Sequence, residues 1–162
     1  MLSNIQKRKE QGFTIIEVLI VLAIAGLILL VVFLAVPALQ RNARNTTRKS
    51  DVAAILAGIS EYVNNNDGTQ PANQTNMGTG NTATIGSSGN TVDVKLGAYK
   101  SDQLSSTTTA ATSNPNDVNR IVIVYGGKCS TTNIGDSTTG GPSRGFVALY
   151  TLEPTTKLCQ AS

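Results

Sequence analysis

Gly12-Phe13-Thr14-Ile15-Ile16-Glu17-Val18-Leu19 opens an apolar run that continues to Val36. Between Phe13 and Val36 only Thr14, Glu17 and Gly26 interrupt the apolar character. Read as a helix, these residues rise roughly 36 Å, enough to cross a hydrocarbon core of about 30 Å. One ionisable side chain, Glu17, sits inside the run. A carboxylate within a bilayer costs on the order of 2.5–3.5 kcal/mol even on insertion scales. Leucine would make a better plain anchor, so Glu17 either lies shallow, near the headgroups, or meets a cation.

The preceding residues suggest that cation. Met1 to Gly12 carries Lys7, Arg8 and Lys9 against Glu10 and ends in glycine. A cut between Gly12 and Phe13 would give Phe13 a free, protonated α-amine. That amine would lie four residues before Glu17, on the same helix face, at a helix end that itself favours an anion. In a bundle of such helices, Glu17 of one chain could instead pair with a neighbour's amine. A conventional secretory signal fits less well. It has an apolar core of about 7–15 residues followed by a small-residue cut. Here the core is longer and carries Glu17, and Val36-Pro37-Ala38 matches that cut only loosely.

The stretch Gly12 to Leu19, with its G-F-T-x-x-E-x-L pattern, resembles the class III signal of type IV prepilins. The layout of the whole chain is similar to the same family: a short basic leader, a long apolar helix, a polar C-terminal domain and a late cysteine pair. The resemblance implies an α+β pilin fold. In it a long N-terminal α-helix, its apolar half protruding, packs on a small antiparallel β-sheet of three or four strands. It also implies that a prepilin peptidase cuts after Gly12 and N-methylates Phe13, and that membrane-bound pilus assembly machinery adds and removes subunits. The partners so implied are other copies of the chain, that peptidase, that machinery and, before assembly, inner-membrane lipid. The location so implied is a single-pass cytoplasmic-membrane protein, N-terminus inside, and then an extracellular pilus on the bacterial surface. Adhesion, twitching motility and DNA uptake are family roles among which the residues do not choose.

Two alternatives share parts of this reading. A type II secretion pseudopilin or a minor pilin would carry the same leader chemistry, although no convincing counterpart of the major pseudopilins' calcium loop is present. A monomeric, membrane-anchored surface binding domain would leave Glu17 unexplained. The expected organisation is a cleaved leader at 1–12, an apolar half-helix at 13–36, an amphipathic half-helix at 37–65 and a head at 66–162.

Pro37 lacks a backbone N–H and clashes with the preceding turn, so a bend is expected there. Gly26 is a second weak point. Helix interruption at Gly26 and Pro37 during assembly is implied by the resemblance; a simple kink or break at the membrane edge is the alternative for Pro37. Beyond it Val52, Ile55, Leu56, Ile59, Tyr62 and Val63 recur at helical spacing and mark one face for burial. Asn64-Asn65-Asn66-Asp67-Gly68 ends the helix, with Gly68 available for a left-handed cap. Arg41, Arg44 and Arg48 share a stripe. A phosphate or headgroup contact is one reading; a solvated face with Arg48 near Asp51 is the preferred one.

Residues 64–90 read as a long polar loop. Strands are expected at Val92–Leu96, Ile121–Tyr125 and Phe146–Leu152, the second of them central. Polar connectors run from Ser101 to Asn116 and from Ser130 to Ser143.

The chain has 13 cations, 10 carboxylates and no histidine, a net charge of +3. Loss of the leader would leave ten cations against nine carboxylates, or +1. That is no charge signal for nucleic acid as a direct ligand. The carboxylates Asp51, Glu61, Asp67, Asp93, Asp102, Asp117, Asp136 and Glu153 are scattered singly. No catalytic residues, cofactor or metal site are expected, and the chain does not read as an enzyme. A calcium loop at Asn64–Gly68 fails, with Val63 at the first ligand position and Gln74 in place of the closing glutamate. Gly78-Thr79-Gly80 is followed by no helix signal. Asn45-Thr46-Thr47 and Asn73-Gln74-Thr75 match the glycan sequon, a pattern frequent by chance. Both flanks of the apolar run are basic, so positive charge alone does not orient it. Cys129 and Cys159 most simply pair in an exported domain, with two free thiols as the alternative.

Overall fold

The computed structural model describes residues 12–74, 77–86, 89–112 and 117–162. The basic leader Lys7, Arg8, Lys9 and Glu10 lies outside them, as do Thr75 of the second sequon and the end of the first polar connector. The architecture is α+β, as expected. Helix α1 spans Ile15–Asn65 without a break at Gly26 or Pro37. The chain divides into two units, Met1–Gln40 and Arg41–Ser162.

In the first unit every described residue, from Gly12 to Gln40, is exposed. The side chains are apolar on all sides of the helix, which is the pattern of a helix surrounded by other apolar material rather than one lying on a core.

In the second unit α1 becomes amphipathic. Val52, Ile55, Leu56, Ile59, Tyr62 and Val63 are all buried, the face marked by their helical spacing. The helix closes as anticipated: Asp67 and Gly68 take positive φ of 53° and 82°, and the Gly68 N–H donates to the Val63 carbonyl at 2.8 Å. A side chain at position 68 would collide with the Arg144 guanidinium.

Among the described residues, three sheets complete this unit. Strands β1 (Gly78–Thr79), β2 (Thr82–Ile85) and β3 (Val92–Lys95) form an antiparallel sheet in that order. Strands β4 (Leu104–Thr107), β5 (Ile121–Tyr125), β8 (Phe146–Leu152) and β9 (Thr156–Ala161) form a four-stranded sheet in the order β4-β5-β8-β9. Strands β6 (Gly127–Cys129) and β7 (Ser137–Thr139) make a hairpin. The expected central strand is interior: β5 pairs antiparallel with β8, from Ile121 opposite Tyr150 to Tyr125 opposite Phe146. The β4–β5 pair is parallel, so this sheet is mixed.

Strand β8 shows why both central strands are apolar at almost every position, Thr151 excepted. Phe146, Ala148, Tyr150 and Leu152 face the main core with the helix. Val147 and Leu149 face a second cluster with Val124, Cys129 and Cys159. A strand covered on both faces has no solvent side to mark with polar residues.

Residues 64–90 are not one loop. Ala83 and Ile85 of β2 are fully buried, as is Met77. Two inward positions, Ala83 and Ile85, in a Thr/Gly-rich stretch carry too little periodic signal to be read. The polar connectors likewise hold β4 and β7, whose inward Ser106 and Ser137 look like loop residues in the sequence.

Candidate functional site

The first candidate surface is the start of α1. Phe13 is 88 % exposed and Ile15 82 %. Phe13, Glu17, Val18, Val21 and Leu22 line a shallow apolar depression. Glu17 is held in one orientation. The Thr14 N–H and hydroxyl both donate to Glu17 Oε2 at 2.8 Å, and the Glu17 N–H donates back to Thr14 Oγ1 at 3.3 Å. This is a reciprocal capping box: Thr14 precedes the first helical residue and Glu17 is the third, so each satisfies a backbone or side-chain group the helix end leaves open. Thr14 was legible as a break in an apolar run and as part of the G-F-T-x-x-E-x-L pattern, and its spacing to Glu17 is also the capping-box signature. Gly12 is exposed, with open space around it, so the backbone at the Gly12–Phe13 bond is accessible. Gly26 also faces open space. Pro37 lies inside the helix and offers no N–H to the carbonyl four residues back.

A second constellation gathers where α1 first meets the head. Arg44 donates from Nε to Glu153 Oε1 at 2.9 Å and from Nη2 to Oε2 at 2.7 Å. Arg48 Nη1 reaches Oε1 at 2.8 Å. Asn45 completes the contact: its Nδ2 donates to the Glu153 carbonyl at 2.9 Å, and the Glu153 N–H donates to Asn45 Oδ1 at 3.0 Å. The hydrogen bonds from Arg44, then those from Arg48, hold the Glu153 carboxyl down to about 2. The preferred reading of the arginine stripe is therefore corrected. Arg48 is buried, at 6 % exposure, and pairs with Glu153. Asp51 instead accepts the backbone N–H groups of Gly97, Ala98 and Tyr99 at 2.9, 2.7 and 3.1 Å. Three amides in one loop outcompete a long cation for a short carboxylate. The Asn45 amide of the first sequon is thus half-buried and engaged with Glu153, while Thr46 and Thr47 stay exposed.

Cys129 and Cys159 are joined in a disulfide, with Cα atoms 5.7 Å apart. It ties β6 to β9. Burial pushes the Tyr125 hydroxyl up to about 12 and Tyr99 higher still, so both are neutral at physiological pH. Among the described residues no three His, Cys, Asp or Glu side chains gather.

Helix α1 is the one described helix long and apolar enough to cross a membrane. A family model described as the prokaryotic N-terminal methylation motif matches residues 7–33. No curated protein and no solved structure matches the chain. The exposed apolar helix, its capped acid and the matched motif fall on one stretch: the chain carries at residues 7–33 a prokaryotic N-terminal methylation motif, which supports a type IV pilin-like prepilin.

Proposed function

We propose that the mature protein is a structural subunit that polymerises through its N-terminal helix into a type IV pilus. The single observation that carries this reading is the exposure of nineteen large apolar side chains between Phe13 and Leu39 under a methylation motif. Each such side chain gains about 1.5–3 kcal/mol on burial. Together they outweigh the roughly 5–15 kcal/mol stability of a domain. The helix therefore needs lipid or other helices around it, and a filament core supplies the second after the membrane supplies the first.

In this reading a prepilin peptidase cuts after Gly12 and methylates Phe13. The chain waits as a single-pass membrane protein, N-terminus inside, before assembly machinery extracts it. Glu17 then pairs with the Phe13 amine of a neighbour. A misplaced subunit would leave a buried charge unpaired, so the pair sets axial register. Gly26 and Pro37 are the points where the helix opens most easily, since one favours the unfolded chain and the other lacks a hydrogen bond. Surface adhesion, motility and DNA uptake are the roles such a filament supports.

The deciding experiment is Glu17→Ala, followed by membrane fractionation and by shearing of surface filaments. Membrane insertion should be retained and the sheared yield should fall by tenfold or more, on the order of the loss of one buried charge pair. Filaments at the original yield would overturn the pairing role.

A further inference from the structure

Arg41, Arg44 and Arg48 share one helix stripe, but the structure separates their duties. Arg48 is buried and spent on Glu153. Arg44 uses Nε and Nη2 on Glu153, leaving Nη1 without a partner among the described residues, and its side chain is 51 % exposed. Arg41 is exposed and makes no hydrogen bond or ion pair with another described residue. The three arginines and Glu153 leave a net charge of +2, and its outward part is Arg41 with the free edge of Arg44.

The position of this charge in the chain points to its partner. Arg41 follows Val36, the end of the apolar run, by five residues. In a helix that is a rise of about 7.5 Å. The headgroup layer beyond the hydrocarbon core is about 5–7 Å thick, and helix side chains lean toward the N-terminus, which brings the Arg41 guanidinium back into that layer. We infer that Arg41, assisted by the Nη1 edge of Arg44, binds the phosphate of an anionic phospholipid headgroup while the subunit waits in the membrane. The guanidinium fork suits a phosphate bidentately, and Glu153 keeps Arg44 oriented without consuming its outer edge. The inference rests on the membrane-held stage of the proposed function.

The test uses the full mature chain, labelled with ¹³C at arginine Cζ, in bilayers. Carbon–phosphorus dipolar recoupling by solid-state NMR should show an arginine in direct contact with phosphate in phosphatidylglycerol bilayers, weakened in phosphatidylcholine. Arg41→Gln should remove most of that signal, and Arg120→Gln, an exposed arginine of the head, should leave it unchanged. A signal unaltered in Arg41→Gln, or absent from the parent protein, overturns the inference. An equal signal from inorganic phosphate in uncharged detergent micelles also overturns it, because the site would then read phosphate rather than a membrane surface. Alkaline carbonate extraction separates the two levels. Release of the chain from bilayers sinks the membrane-held stage itself, whereas retention without an arginine–phosphate signal sinks this inference alone.

Discussion

Glu153 and Glu17 show how differently two carboxylates can be read. Glu17 bonds to Thr14, three residues away, so its environment is written locally as a capping box. Glu153 bonds to Arg44 and Arg48, 109 and 105 residues distant, and only the folded chain brings them together. Its acidity gives a signed prediction. The carboxyl lies near 2 in the fold against an ordinary value of 4.5. Its stabilising contribution is complete above the ordinary value and is lost as pH falls from about 4.5 towards 2, because the unfolded chain takes up the proton first. Denaturation midpoints of the parent and Glu153→Gln should therefore differ most near neutral pH and converge over that window. A constant difference across the window would contradict the clamp. Arg48→Gln, which removes a buried charged donor, should cost about 1.5–3 kcal/mol in urea unfolding, whereas Arg41→Gln should fall within about 0.5 kcal/mol.

At the scale of elements, the helix packs tightly on β2 and β3 at Gly58. A Cβ there would sit 2.6 Å from Val94 Cγ2 and 2.8 Å from Ile85 Cδ1. Gly58→Val should cost about 1–3 kcal/mol by overpacking, seen as a lower urea midpoint with unchanged slope. An unaffected midpoint would mean that β2 and β3 yield freely. The disulfide joins β6 to the edge strand β9 across a separation of 30 residues. Replacing both cysteines with serine should cost about 3–4 kcal/mol on the chain-entropy account, and a loss below about 1 kcal/mol would show a reduced state already ordered by pairing of β8 with β9. Elements with a strong local signal were readable: the periodic buried face from Val52 to Val63, the alternating strand β3 and the apolar runs of β5 and β8. Strands β2, β4 and β7 were not, because short Thr/Ser-rich segments become strands through their neighbours' hydrogen bonds rather than through their own side chains.

At the scale of the whole molecule, the chain is two things with opposite solvents. One is an apolar rod with nineteen exposed large side chains; the other is a head whose only exposed large apolar side chain among the described residues is Ile134. A chain cut to Arg41–Ser162 should be soluble and monomeric in sedimentation velocity, with the disulfide intact. Aggregation of that piece would place a second apolar surface on the head. In the complete protein, intact mass of the surface-exposed form should place Phe13 first and methylated; a form beginning at Met1 would refute processing. The sequence by itself determined the rod, its acid and the face on which the second half-helix packs. All of these depend on residues a few positions apart, where helical geometry is the only structure needed. What covers β8 on both sides, why β4 runs parallel to β5, and which acid takes Arg44 and Arg48 were decided by the tertiary structure alone. Those contacts join residues far apart in the chain, and no local period records which distant partner closes them.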